Sequence, residues 1–372
     1  MKIGFIITST GWGGLEMNTI KLSTSLNSLG YSITLFSQEE STIFKKNSPS
    51  FESSVLIKRN KKYFDFKTAK QIATALKEKK ISTILIFDNK DLDVIAWAKR
   101  LYYKDLKIVY QQHMQIGIPK KNPLQTFRFK SIDKWISPLD YLIKEIEIQT
   151  KFPTDRIVKI PIGVDTERFF KNTTSKEEAL TKLSIDNSLP LVGIIGRISE
   201  KKGQLFLLET MLQLKKEGVN FNLLIFGSAT VNDLECQNYN IKIHDFTKSN
   251  NLTENVYFIE HQENISLFYN SIDIFVLASE SETYGMVTIE AMLSGLPILA
   301  TKSGGTSDIL QNGKFGKLYK YGSHSELAKE LKWTLNKLEE AKNMGQLAKE
   351  NALQTYTLDK EVTKIDKLLK SL

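Results

Sequence analysis

The chain is almost without cysteine. Its 372 residues hold one, Cys236, which excludes an intramolecular disulfide and suits a reducing cytoplasm. It also lacks any run approaching the ~18–20 apolar residues that a membrane-crossing helix needs. The opening MKIGFIITST has one lysine and a short apolar run, and the glycine-rich turn at Gly11–Gly14 follows too soon for a signal peptide, so a first β-strand is expected. The four histidines, His113, His244, His261 and His324, show no metal-ligand spacing with Cys236. GWGGLE lacks the GxGxxG spacing, which argues against a dinucleotide dehydrogenase. What remains, 41% apolar and 25% charged, is the balance of a soluble globular chain long enough for two domains.

Charge of one sign is unevenly placed. The net charge is +9, and residues 1–165 carry 27 Lys and Arg against 16 Asp and Glu, while the rest carries 24 against 26. A first half at +11 suggests an anionic contact such as nucleic acid, an acidic membrane surface or a phosphate-bearing substrate.

The hydrophobic pattern repeats one architecture twice. Strand-like KIGFIIT (Lys2–Thr8) leads through a glycine-rich loop to a helix with Leu15, Leu22, Leu26 and Leu29 on one face, then to SITLFS (Ser32–Ser37). LVGIIG (Leu191–Gly196), a loop, the helix QLFLLETMLQLKKEG and FNLLIFG (Phe221–Gly227) do the same again. Further strands are expected at Ile81–Asp88, Leu106–His113, Lys134–Pro138, Val256–Ile259, Asp273–Ser279 and Pro297–Thr301. Strands alternating with helices predict an α/β chain of two doubly wound, Rossmann-like domains with parallel sheets. The polar stretch at 165–185 is the expected join, giving domains 1–170 and 171–355 and a C-terminal helix, 356–372, packing back on the first domain. Ligands of such folds bind beyond the carboxyl ends of the strands.

Two carboxylates stand out in ETYGMVTIE (Glu282–Glu290). A helix starting near Gly285 would offer the N–H groups of Gly285, Met286 and Val287 to an anion, aided by its dipole. Glu282 would lie just before that start and Glu290 ~7–8 Å along it, at about 1.5 Å per residue. An acid among Met286, Val287, Ile289 and Leu293 needs a donor. Ion pairs with nearby lysine or arginine would supply one. So would sugar hydroxyls, and hydroxyl-binding acids flanking a phosphate site describe a nucleotide sugar. GRISEKKG (Gly196–Gly203) follows a strand and places Arg197 and Lys202 at the same sheet edge, where both can reach a diphosphate.

With these segments in hand, ESETYGMVTIEAMLSGLPILATKSGG resembles the signature of the retaining glycosyltransferases of family 4, which share the GT-B fold. GRISEKKG, PIGVDTERF (Pro161–Phe169) and the glycine pair of GWGGLE match the same family in the same order along nearly the whole chain. The resemblance implies two Rossmann-like domains facing across a cleft, no metal, no cofactor beyond a UDP- or GDP-linked sugar donor, and transfer with retention to a glycan or lipid-linked acceptor. It implies that Glu282 contacts the donor sugar and Glu290 the ribose. Arg197 and Lys202 would stabilise the leaving diphosphate, with Gly13 and Gly14 approaching it from the first domain, and His113 would lie near the transferred sugar. Synthesis of a bacterial surface glycan, such as lipopolysaccharide or capsule, is the expected setting. A nucleotide-sugar epimerase or hydrolase and a silent partner subunit are the rivals.

The chain departs from the family pattern at Ile162, where asparagine is usual, at EHQEN (Glu260–Asn264), where a glycine is common, and at Asp308, where glutamate is customary. The second departure leaves the nucleotide base open. DLD (Asp91–Asp93) is expected to cap a helix rather than to bind metal. KRNKKYFDFK (Lys58–Lys67) and IPKKNPLQTFRFK (Ile118–Lys130) interleave basic and aromatic residues. They suit an anionic membrane surface, RNA or plain solvent, and beside a transferase site a membrane-borne acceptor is preferred to nucleic acid. The expected location is cytoplasmic, peripheral to the inner face of the cell membrane.

Overall fold

The computed structural model describes residues 1–372 apart from 60, 62, 168–173 and 187. Part of the expected join, with Arg168 and Phe169, therefore lies outside the described residues. The chain forms two compact units, one of Met1–Ile162 with Leu358–Leu372 and one of Gly163–Thr357.

In the first unit the strands are β1 (Lys2–Ile6), β2 (Ser32–Ser37), β3 (Ser53–Leu56), β4 (Thr83–Ile86), β5 (Lys107–Gln111), β6 (Lys134–Ser137) and β7 (Ile157–Lys159). They form one parallel sheet in the order β3-β2-β1-β4-β5-β6-β7. In the second unit β8 (Leu191–Ile195), β9 (Asn222–Phe226), β10 (Val256–Ile259), β11 (Ile274–Leu277), β12 (Ile298–Thr301) and β13 (Lys317–Tyr319) form another, ordered β10-β9-β8-β11-β12-β13. Each order reverses once, between β1 and β4 and between β8 and β11. Connections there leave in opposite directions, which opens a crevice at the carboxyl edge.

The central strands are the contiguous apolar runs of the sequence, buried on both faces. One face of the first sheet packs Ile3, Phe5 and Ile33 against Leu22 and Leu26 of the helix Gly14–Ser28, and against Val362, Ile365 and Leu369 of the C-terminal helix Leu358–Lys370. Burying each such side chain contributes about 1.5–3 kcal/mol. Tyr31 Oη donates to Asp366 Oδ1 at 2.7 Å and Gln111 Nε2 to Glu361 Oε1 at 2.6 Å, tying that helix to the sheet by polar contacts as well. Leu29 departs from the expected apolar face. It caps the first helix at 55% exposure, because the chain turns away at Gly30.

Asp91 holds the expected N-cap position of the helix Leu92–Trp97, but its side chain makes no capping bond. Asp88 takes the local capping bond, from the Lys90 N–H at 2.9 Å, while Asp91 accepts from Thr8 N–H at 3.0 Å and Thr8 Oγ1 at 2.5 Å and pairs with Arg59 at 3.2 Å. Asp91 and Asp93 are both buried, and Asp91 takes these tertiary partners in place of a cap; burial still pushes its carboxyl up to about 6. The two basic–aromatic segments are likewise partly structural. Phe64, Phe66 and Phe127 gather on Trp97 at ring separations of 5.8, 5.0 and 4.5 Å, Asp65 caps the helix Phe66–Glu78, and Arg59, Arg128 and Phe129 point inward.

Candidate active site

The reversal between β8 and β11 puts two loops side by side in the second unit. The first runs from Gly196 to Gly203 and the second from Ala278 to Gly285. The Glu280 N–H donates to the Lys201 carbonyl at 2.9 Å, linking them. Lys202 Nζ and Glu282 Oε1 meet at 2.5 Å, and Ser279 Oγ donates to the same carboxylate oxygen at 2.8 Å. Both charged side chains keep some exposure, 29% for Lys202 and 14% for Glu282. An incoming anion can therefore reach the lysine, and the acid is not sealed away.

The backbone of Glu282 is held as firmly. Its carbonyl accepts the Gly305 N–H at 2.9 Å, and the backbone passes so close to Gly304 that a β-carbon there would lie 1.9 Å from the Glu282 carbonyl oxygen. Gly304 also has φ +53°, so only glycine fits without displacing the acid. Three residues on, Gly285 adopts φ +91° and turns the chain into the helix Met286–Leu293. The N–H groups of Met286 and Val287 lie in its first turn and have no intrahelical partner. They carry the positive end of the helix dipole beside the Lys202–Glu282 pair.

Glu290 lies further along this helix, half-buried. Tyr269 Oη donates to its Oε2 at 2.7 Å, and burial together with the Glu290 charge holds the Tyr269 hydroxyl well above its ordinary range. A buried acid here does need a donor, and the protein supplies one. Arg197 lies elsewhere on the loop, lining a cavity of about 600 Å³ with Ser199, Lys201, Asp233, Cys236 and Tyr239. The bonds from Cys236, then the Arg197 charge, hold the Asp233 carboxyl below its usual range.

The remaining expected site residues belong to the first unit. Gly13 donates its N–H to Glu16 Oε2 at 2.9 Å, and Gly14 begins the first helix. His113 follows β5, its ring 6.2 Å from that of Phe87 and its buried Nε2 without a hydrogen-bond partner. Burial lowers its pKa to about 4, which keeps the imidazole neutral near pH 7. Sequence reasoning missed Ser279, Tyr269 and Glu16. A serine or tyrosine near a strand carries no signal of its partner, whereas Glu16, three residues after Gly13, had the spacing of a capping acid.

Lys202 and Glu282 thus meet at the switch point of a doubly wound α/β sheet, next to a helix N-terminus, and comparison with known proteins identifies the family and the fold. The profile described as Glycosyltransferase Family 4 matches residues 12–168 and that described as Glycosyl transferases group 1 matches residues 175–351. The chain belongs to this glycosyltransferase family and has its GT-B fold. It is 30% identical over 175 residues to the capsular polysaccharide biosynthesis glycosyltransferase CapM of Staphylococcus aureus, a match covering 47% of this chain and 43% of the relative, less than half its length. It is 26% identical to an uncharacterized glycosyltransferase of Haemophilus influenzae, over 90% of both chains. The crystal structure of Anabaena HepE in complex with UDP has the same fold, with a TM-score of 0.86 at 19% identity over 100% of both chains.

Proposed function

We propose that the chain transfers a hexosyl group, with retention at the anomeric carbon, from a UDP- or GDP-linked sugar to a glycan or lipid-linked acceptor of a bacterial surface polysaccharide. The observation that carries this reading is the Lys202–Glu282 contact beside the N-terminus of the helix Met286–Leu293. A donor diphosphate competes for Lys202 and releases the Glu282 carboxylate, still held by Ser279, to accept bonds from sugar hydroxyls. As the anomeric carbon–oxygen bond breaks, charge grows on the departing phosphate. Lys202 and the N–H groups of Gly285, Met286 and Val287 offset it, with Arg197 joining them on the family resemblance alone, so the reaction needs no metal ion. The acceptor oxygen attacks from the same face, and its proton passes to the leaving phosphate. Glu290 takes the ribose hydroxyls. His113, Gly13 and Gly14 are assigned on the family resemblance. The neutral imidazole of His113 serves as a hydrogen-bonding group rather than a charge.

A thermal-shift panel of nucleoside diphosphates tests the donor assignment. UDP or GDP should raise the midpoint in a concentration-dependent way, as a ligand that binds only the folded state must. No shift with either at millimolar concentration would contradict it.

No helix among the described residues is long and apolar enough to cross a membrane. The excess positive charge of residues 1–165 supports docking on an anionic bilayer that carries the acceptor, each exposed lysine contributing about 1 kcal/mol at low salt. Lys58 and Lys61 are exposed, whereas Arg59 is committed to Asp91 and Lys62 lies outside the described residues. The protein should sediment with anionic vesicles at low salt and be released at high salt, and Lys58→Glu with Lys61→Glu should weaken sedimentation. Equal, negligible sedimentation with anionic and neutral vesicles would favour a water-soluble acceptor.

A further inference from the structure

The first unit holds a cavity of about 260 Å³ that the donor reaction does not use. Its walls come from the segments after β4 and β5, and its cations are Lys90, Lys120 and Arg128. No carboxylate is among its lining residues; the buried Asp93, whose charge acts on Arg128, lies outside the lining. Arg128 is the unusual member. It is 8% exposed, one guanidinium nitrogen donates to the Asn89 carbonyl at 2.8 Å, and its buried Nε has no hydrogen-bond partner. A buried guanidinium with an unused donor is costly unless something accepts from it.

The surround is built to keep its shape. Gln112 receives bonds from Trp135 Nε1 at 3.2 Å and Ser137 Oγ at 3.1 Å, and its own amide donates to the Met114 carbonyl at 3.0 Å. Glu145 accepts the N–H groups of Ile116 and Gly117 at 2.9 and 2.7 Å. Asn122 caps the helix Pro123–Lys130 that carries Arg128. Tyr110 packs edge to face on Trp135 at 5.0 Å, and Phe129 lies tilted against it at 5.1 Å. Met114 and Gln115 line the cavity directly after His113.

We infer that this cavity is the acceptor's anion subsite, taking a phosphate group whose oxygens are bound by Arg128, Lys90 and Lys120 while the attached sugar or chain lies over its aromatic wall. The volume falls below the ~300–1,000 Å³ usual for whole small-molecule ligands, which suits a phosphate and one adjoining group. A planar guanidinium with two lysines is the donor set for a tetrahedral oxyanion. The assignment rests on the proposed transferase reading, since it names the acceptor of that reaction.

The test is calorimetric titration of the full-length protein with glucosamine 1-phosphate and, separately, farnesyl phosphate, in saturating UDP or GDP so that the second unit's diphosphate site is filled. Saturable binding is expected, weakened about tenfold by Arg128→Gln and also by Lys120→Gln, which alters only the partly exposed rim and guards against a misfolded Arg128 variant. Binding of the sugar phosphate alone marks a soluble acceptor, and binding of the prenyl phosphate a lipid-borne one; either supports the subsite. Absence of both in the wild type, or wild-type affinity in both variants, overturns it even where UDP or GDP binds. Failure of both nucleotides to bind counts instead against the transferase reading, and the phosphate titrations then report on the cavity by themselves.

Discussion

Lys202→Ala should lower the turnover of sugar transfer about a hundredfold or more, the scale for removing one donor that meets developing charge in a transition state. The lysine is the cation held against Glu282 at 2.5 Å, so the substitution removes the diphosphate's positive partner and also leaves the acid with Ser279 alone. Arg197→Ala should act in the same direction. The loop's own fold should persist, because it is anchored by the Glu280 N–H to Lys201 carbonyl bond rather than by either side chain. Released nucleotide measured on variants of native circular dichroism checks this. Wild-type turnover in the Lys202 variant would remove that residue from the reaction.

Glu282→Gln and Glu290→Gln should separate binding from transfer. Glu282→Gln removes the charge that neutralises Lys202, so affinity for the free nucleoside diphosphate should hold or tighten while transfer falls by at least tenfold, the sugar having lost its charged acceptor for the weaker one of a neutral amide. Glu290→Gln should weaken nucleoside diphosphate binding several-fold, because the carboxylate oriented by Tyr269 is the group assigned to ribose. Calorimetry with the nucleoside diphosphate and transfer kinetics on the same preparations give both readouts. Equal affinities in the two variants would overturn the division of roles.

The interior of each sheet was legible because strands buried on both faces must be apolar throughout. β2 matches its expected bounds, and most other central strands are shorter than expected by one or two residues at an end; the edge strand β10 was also legible, because Val256–Ile259 is apolar throughout. The edge strands β3, β7 and β13 carried no such signal. One side of an edge strand is unpaired and its residues are half-exposed, so Ser53–Leu56 and Lys317–Tyr319 read as polar connections. At the site, Glu282, Lys202 and Gly285 announced themselves by residue type and by position after strands. Their mutual contact did not, since Lys202 and Glu282 are eighty residues apart and only the strand order joins them. Arg59 and Arg128 were harder still. Within basic segments they look like solvated charge, and only packing shows one committed to Asp91 and the other lining a cavity.

The central claim is transfer from a nucleotide sugar with retention, and proton NMR of the product tests it most directly. The purified protein, supplied with UDP- and GDP-sugars and a phosphorylated glycan acceptor without added metal, should release nucleoside diphosphate from at least one donor. It should give a product whose anomeric configuration equals the donor's. Release from no donor, or a product of inverted configuration, would contradict the account.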